Sequence, residues 1–288
     1  MTFPLIKNTT PGSKLLIFAL LLVFGLLFSS VIGAFIVMIG TGRLSEVATL
    51  QIAQATSQII GLMLPPVLYV MLVKEQPFNY LGFNKLPLWS LLGIVAMFTI
   101  LPFNTLIAQW NEGIQLPESM SAIEEQMRKM QDTAAHATDL MLGQGSLIVN
   151  LLIIGGLAAI SEELLFRSVI QKSLIKICKN AHVGIILTAI FFSAFHLEFY
   201  GFFPRVFLGL MLGYMFYLSG SIWSSILMHF ANNATIVTLY FINTRGFLDI
   251  DPENFGSTEN ILLILLSLII TIAIFWTCTR FKKRKLNN

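Results

Sequence analysis

The sequence predicts an all-α, polytopic membrane protein in which about eight transmembrane helices enclose a polar intramembrane cavity. Of its 288 residues, 56% are hydrophobic and only 11% are charged, and the mean hydropathy is +0.78. Several apolar stretches approach the ~20 residues that an α-helix needs to cross a bilayer. These three observations exclude a soluble globular domain and predict one membrane domain over residues 1–288.

Eight apolar runs give the predicted spans in chain order. The first is longer than the core of a signal peptide and has no A-x-A cleavage pattern, so we expect it to be retained. The Pro65-Pro66 pair in the second run and Pro102 in the third predict kinks, because proline removes a backbone donor. The runs cover about 15–39, 52–73, 88–108, 146–176, 183–198, 203–219, 221–242 and 260–279.

The distribution of charge predicts that both termini lie in the cytoplasm and that the protein resides in the cell membrane. Lys and Arg accumulate in cytoplasmic loops, and most of the 18 basic residues fall in the N-terminus, the 74–87 loop, the end of the fourth helix and the C-terminal tail. The tail from Arg280 to Lys285 directly follows a span. We therefore interpret it as an anchor attracted to anionic headgroups and predict no nucleic-acid partner.

A polar, acidic loop at 111–145 is predicted to lie outside the cytoplasm. Its segment 119–141 has the composition of an amphipathic helix, and Ser121 followed by Glu124 resembles a capping box. Two interpretations stay open. The helix is either a lid over a substrate path or a solvated connection on the outer surface, of which we favour the second.

Three ionisable residues interrupt the fourth apolar run and predict a functional site there. Charges in hydrocarbon cost at least ~2.5 kcal/mol each and therefore mark candidate sites. Glu163 and Arg167 have the i, i+4 spacing of an ion pair, whereas Glu162 is rotated about 100° away from Glu163. Arg167 would neutralise one carboxylate and leave Glu162 as the candidate general base. A purely structural network of the three charges is the alternative.

Two histidines in later spans extend this candidate site. His196 follows Phe192 by four residues, and His229 precedes Asn233 by four. A glutamate and a histidine can hold and deprotonate a water molecule, while a second histidine and an asparagine amide can donate to an oxyanion. The combination is the minimum equipment for hydrolysis of a peptide bond.

The same residues leave two alternatives open. Glu162, His196 and His229 could instead bind zinc, although the chain contains no H-E-x-x-H pair and its two cysteines, Cys178 and Cys278, have no CxxC spacing. Glu162, Glu163 and Arg167 could also form an ion relay in a transporter, although no inverted repeat is evident. We favour a site that requires no cofactor.

Two further features concern how the helices assemble. Gly209 and Gly213 form a G-x-x-x-G pattern, which lets helices approach closely. If the fifth helix starts near residue 183 in the cytoplasm, His196 lies ~20 Å along it. Glu162 must then lie near mid-membrane, which predicts that the fourth helix continues past Arg167 to about Lys176.

The ordered set of polar pairs resembles the CAAX prenyl protease and bacteriocin-processing (CPBP) family of intramembrane proteases, of the type II CAAX endopeptidase kind. The resemblance covers about 155–240, within a catalytic core that we place at 146–242. Its motifs are E-E-x-x-x-R from Glu162-Glu163 to Arg167, F-x-x-x-H from Phe192 to His196, and H-x-x-x-N from His229 to Asn233.

The resemblance implies an endopeptidase that acts on a membrane-proximal peptide or protein. It implies that Glu162 and His196 activate the water, that His229 and Asn233 stabilise the oxyanion, and that Glu163 with Arg167 supports the site. Family members include proteases described as metal-dependent and as glutamate-dependent, of which we favour the second. The competing hypothesis is a non-catalytic immunity or scaffold protein that uses the same cavity to bind a partner.

Overall fold

A computed structural model describes residues 9–73, 76–252 and 254–287, and these residues form helices and connections without any strand. Lys7 and Lys74, on which the predicted orientation partly depends, lie outside the described residues. The helices are α1 (Pro11–Gly40), α2 (Glu46–Val73), α3 (Pro77–Leu81), α4 (Leu88–Thr99), α5 (Leu101–Glu112), α6 (Ser121–Gln144), α7 (Leu147–Cys178), α8 (Ala181–Ala194), α9 (Phe202–Ser219), α10 (Ile222–Thr244) and α11 (Ile261–Asn287).

The helices confirm an all-α membrane protein but not the predicted count of eight spans. Within the described ranges, six helices are long and apolar enough to cross a membrane, namely α1, α2, α7, α9, α10 and α11, and a seventh span results if α4 and α5 are taken together. Helix α8 has 14 residues and is therefore only ~21 Å long, shorter than the ~30 Å hydrocarbon core. The fifth apolar run thus forms a short helix.

The chain bends at one of the two proline positions predicted from the sequence. Helices α4 and α5 meet at an angle of 49°, and the break is at Ile100, two residues before Pro102, whose ring disfavours a straight helix through the preceding turn. In α2, Pro65 and Pro66 follow a wide π-type turn at Ser57–Met63. The chain continues as one helix from Glu46 to Val73, so the kink predicted at these two prolines stays a prediction.

Helix α7 carries the predicted site near the middle of the bundle. It has 32 residues and continues past Arg167 as predicted, until Lys179 takes a left-handed conformation with φ of 51°. Two π-type turns, at Leu151–Leu157 and Leu164–Gln171, flank the pair of glutamates. Such turns are frequent at functional sites, because they rotate side chains out of the regular helical register.

Close packing of α8 against α9 depends on Gly209. A Cβ atom at this position would lie 3.1 Å from the Cα of Ala189 and 3.2 Å from Cδ1 of Phe192. The G-x-x-x-G pattern therefore serves helix approach, as the sequence predicts.

We expect Gly209→Ala to lower the free energy of unfolding by roughly 1–3 kcal/mol, because the extra methyl group must push the two helices apart. Thermal unfolding in detergent, followed by circular dichroism, measures the effect. Gly33→Ala is the matched control, since no atom lies within 4 Å of its added Cβ. Equal stability of the two variants would contradict the packing role of Gly209.

The polar loop contains the predicted amphipathic helix but not the predicted capping box. Helix α6 starts at Ser121, so this serine is the first helical residue, and Met120 is the N-cap without a side-chain hydrogen bond. Glu124 does not reach back to the cap because its carboxylate accepts hydrogen bonds from Arg128 and Tyr200. A tertiary contact has replaced the local one.

Candidate active site

The ion pair predicted on α7 is formed and completely buried. Nε of Arg167 donates to Oε2 of Glu163 over 2.9 Å, and neither side chain is exposed to solvent. The side chain of Glu162 points elsewhere and is 12% exposed. The two adjacent carboxylates therefore occupy different environments: Glu163 is paired with a guanidinium, and Glu162 is partly exposed.

His229 of α10 lies between these two carboxylates. Its Nδ1 is 3.1 Å from Oε1 of Glu163, within hydrogen-bond distance, and its Nε2 is 3.8 Å from Oε2 of Glu162. Because a carboxylate oxygen accepts, Nδ1 carries the proton in the contact with Glu163. The ring is thereby oriented with Nε2 towards Glu162.

His196 lies in the turn that follows α8, not within the helix. Its Nδ1 is 2.9 Å from the carbonyl oxygen of Phe192. A carbonyl can only accept, so Nδ1 donates and Nε2 keeps a free lone pair. The next residue, Leu197, has a positive φ of 56°. This conformation is unfavourable for a leucine, and the chain turns there directly after the histidine.

The ring of Phe192 lies among the three motifs. Its centroid is 5.1 Å from that of His196 and 5.9 Å from that of His229. The guanidinium of Arg167 lies 5.3 Å from the same centroid. The sequence identifies Phe192 only as the start of a motif, whereas in the structure it is a buried packing residue that brings α7, α8 and α10 together.

Asn233 makes contacts that the sequence does not predict. Its Nδ2 donates to the carbonyl oxygen of Ile154 over 3.1 Å, and its Oδ1 accepts from Nδ2 of Asn232 over 3.2 Å. One amide N–H therefore connects α10 to α7. Its role as an oxyanion donor stays a prediction.

Sequence reasoning missed a second arginine near the glutamates. Arg205 of α9 forms an ion pair with Glu198 and interacts electrostatically with Glu162. Arg205 lies inside the sixth apolar run, so the criterion that identified Arg167, an ionisable residue in an apolar run, could have found it. Gln58 was also missed; it accepts a hydrogen bond from Ser161, which directly precedes Glu162.

The zinc alternative, through Glu162, His196 and His229, stays untested. Among the described residues, no group of three or more His, Cys, Asp or Glu side chains lies in an arrangement that would hold a metal ion. The hydrogen bond between Nδ1 of His229 and Glu163 leaves Nε2 of this histidine for another partner, and metal-bound histidines commonly donate their second N–H to a carboxylate. The expectation that no cofactor is required therefore stays a prediction.

A partly buried cluster of three side chains attaches the N-terminal part of α6 beside the site. The hydroxyl of Tyr200 donates to Oε1 of Glu124 over 2.6 Å, and Nη2 of Arg128 donates to the same oxygen over 2.8 Å. The guanidinium of Arg128 lies 4.1 Å from the centroid of the Tyr200 ring. Tyr200 is four residues beyond His196, so this cluster couples the position of α6 to the turn that holds the histidine.

We expect acid to release α6 from this attachment. The hydrogen bonds from Tyr200 and Arg128 lower the pKa of Glu124. Ionised Glu124 therefore stabilises the attached form of α6 at every pH above ~4.3, the ordinary pKa of a free glutamate. This stabilisation is lost as the pH falls through the lowered pKa of the attached form, where the carboxylate becomes protonated. The distance between spin labels at Gln131 and Phe203, measured by pulsed electron spin resonance, should therefore be constant above pH ~5 and increase in stronger acid.

Two variants test the assignment of this acid release. Glu124→Gln should remove the pH dependence of the distance, whereas Glu125→Gln, which changes a neighbouring exposed carboxylate, should retain it. An unchanged acid transition in Glu124→Gln would show that another group controls the attachment.

Comparison with known proteins identifies the segment that carries this site. A family model described as type II CAAX prenyl endopeptidase Rce1-like matches residues 144–235. The matched range contains all six predicted site residues, from Glu162 to Asn233, and excludes α1 to α5. No curated protein and no solved structure matches the chain. The resemblance drawn from the three motifs is thereby confirmed.

Proposed function

We propose that this protein, whose residues 144–235 match a family model described as type II CAAX prenyl endopeptidase Rce1-like, is an intramembrane endopeptidase that uses glutamate and histidine to activate water. Its substrate is a membrane-proximal peptide or protein. The observation that supports the proposal is the position of His229 between two carboxylates: Glu163, which is buried and hydrogen-bonded, and Glu162, which is partly accessible and lies 3.8 Å from Nε2 of the ring.

Charge balance supports distinct roles for the two glutamates. Glu162, Glu163 and Arg167 together carry one net negative charge, and a protonated His229 makes the cluster neutral. Buried charges are tolerated when they are paired and hydrogen-bonded. In this state Nδ1 of His229 donates to Glu163, and its Nε2–H is directed towards Glu162, 3.8 Å away, without being held by a hydrogen bond at that distance. Glu163 and Arg167 thus orient His229 and stabilise its protonated form without touching the substrate.

The proposed reaction starts with the water molecule. Glu162 accepts a proton from the water. Nδ1 of His196 donates to the carbonyl oxygen of Phe192, so Nε2 of this ring accepts a hydrogen bond that orients the water. The oxygen attacks the carbonyl carbon and forms a tetrahedral oxyanion. His229 donates to this oxyanion through Nε2–H, and the remaining N–H of Asn233 provides a second donor.

The intermediate then collapses. Glu162 returns its proton to the amide nitrogen, and the C–N bond breaks to give a carboxylic acid and an amine; transfer of the acid proton to the amine then gives a carboxylate and an ammonium group. Water enters and leaves on the partly exposed side of Glu162. The buried pair of Glu163 and Arg167 keeps its charge throughout, so that the electrostatic environment of His229 is preorganised.

A cleavage assay with a chelator tests the mechanism. We expect the purified protein to cut members of a peptide library, with products identified by mass spectrometry, and to keep its activity in excess chelator. Activity lost in chelator and restored by zinc would overturn the glutamate mechanism. Absence of cleavage, together with specific retention of an intact peptide, would instead assign the site to a binding protein.

A further inference from the structure

A groove on the outer side of α9 lies apart from the proposed active site. It runs between α9 and α11 and has a volume of about 660 Å³. Helix α9 presents Gly209 and Gly213 to α8 and α7, and presents Leu210, Tyr214 and other residues on a different face to the groove. The groove therefore shares no lining residue with the cluster around His229.

The walls of the groove are apolar over most of its length. From Leu268 to Lys282 on α11 they extend ~21 Å along the helix axis, more than half of the ~30 Å hydrocarbon core. Ile272 and Trp276 line it and are 59% and 57% exposed. Because α11 spans the membrane, this exposed wall faces lipid.

One end of the groove is polar and basic. His182, Lys282 and Lys283 line it there, at the end of the bundle where α9 and α11 both end. Nζ of Lys282 donates to the carbonyl oxygen of Tyr217 over 2.9 Å and lies 3.9 Å from the centroid of the Tyr217 ring. An ammonium has three donors, so this contact holds the charge at the mouth of the groove and leaves donors for a ligand.

We propose that this groove binds a membrane phospholipid with an anionic headgroup. One acyl chain lies along Leu210, Ile272 and Trp276, and the headgroup phosphate pairs with Lys282 and Lys283. An apolar channel that is one leaflet deep and ends in positive charge is complementary to such an amphiphile, and basic pockets between spanning helices bind anionic headgroups. The proposal does not depend on the proposed peptidase activity.

Fluorescence quenching of Trp276 by brominated lipids tests the proposal. A variant that keeps Trp276 alone, with Trp89, Trp110 and Trp223 replaced by Phe, is reconstituted in phosphatidylcholine vesicles. Brominated phosphatidylglycerol or brominated phosphatidylcholine is then added in increasing fractions. We expect half-maximal quenching at a roughly fivefold or more lower fraction of the anionic lipid, given the usual attraction of one lysine for an anionic surface.

Further variants of the protein that keeps only Trp276 distinguish a specific lipid site from the general attraction of basic residues for anionic lipid. Lys282→Gln with Lys283→Gln should abolish the preference for the anionic lipid, and Leu210→Phe, which narrows the groove, should weaken quenching by both lipids. Lys85→Gln is the matched control. It removes an exposed lysine at the same end of the bundle, where the neighbouring Asn84 contacts Gly220, and should keep the preference.

Three results would overturn the proposal. Equal quenching by the two lipids in the Trp276 variant would exclude headgroup selection. If the preference for the anionic lipid survives in Lys282→Gln with Lys283→Gln, or is lost to the same extent in Lys85→Gln, general attraction to the charged surface explains it and the groove does not. Quenching by neither lipid in a dimeric protein would assign the groove to a second copy of the chain.

Discussion

Glu162→Gln should abolish peptide hydrolysis and leave the folded protein intact. The amide has nearly the same shape as the carboxylate but cannot accept the proton from water, and loss of a general base typically lowers the rate ~10²–10⁴-fold. The substitution also removes one negative charge from a site in which Glu162 is 12% exposed and makes no hydrogen bond among the described contacts. The expected change therefore lies in kcat, measured by mass spectrometry of the peptide products.

Glu125→Gln is the control for this prediction, because it removes an exposed carboxylate on α6 that is remote from the cluster. It should leave kcat unchanged. A Glu162→Gln protein with wild-type kcat would refute the role of general base. If Glu162→Gln is inactive and does not unfold cooperatively, Glu162→Asp is the second variant to measure. A general base at this position predicts partial activity and normal folding for Glu162→Asp.

Arg167→Met should cause the largest loss of stability. It leaves the Glu163 carboxylate buried beside His229 without its guanidinium partner, and removal of one member of a buried pair costs on the order of 3–5 kcal/mol. The guanidinium also packs over the ring of Phe192 at 5.3 Å, and methionine replaces only part of that contact. Thermal unfolding in detergent measures the loss.

Lys129→Met provides the comparison, because Lys129 and Glu125 have the same i, i+4 spacing but exposed side chains, 74% and 68% accessible. Exposed pairs contribute ~0–1 kcal/mol, so the unfolding temperature should hardly change. Similar losses in the two variants would show that burial of the α7 pair has no energetic consequence.

Local patterns predicted much of the architecture. The composition indicates a helical membrane protein, Pro102 indicates the bend between α4 and α5, and the spacing of Glu163 and Arg167 indicates their ion pair. The first property follows from the composition of whole segments, and the other two depend on residues within one or two helical turns of one another. Helical geometry and the cost of a charge in hydrocarbon therefore suffice to predict them.

Other predictions failed where a distant contact competes with a local one. Glu124 has the spacing of a capping box, yet its carboxylate binds Tyr200, 76 residues away. The fifth apolar run continues to residue 198 in the sequence, but α8 stops at Ala194 and the chain turns to place His196 beside Phe192. Hydropathy measures the apolar character of this run and does not predict the residue at which a tertiary contact ends the helix.

The sequence alone determined the identity and order of the polar groups: a pair of glutamates, an arginine, two histidines and an asparagine on apolar segments. Tertiary structure alone decided three contacts. His229 lies between Glu162 and Glu163, one amide N–H of Asn233 donates to the carbonyl oxygen of Ile154, and Arg205 interacts with Glu162. The spacing of residues along one helix follows from its 3.6-residue turn. Distances between helices depend on side-chain packing, here on Phe192 and Gly209; local patterns single out both residues but do not specify which groups of other helices they contact.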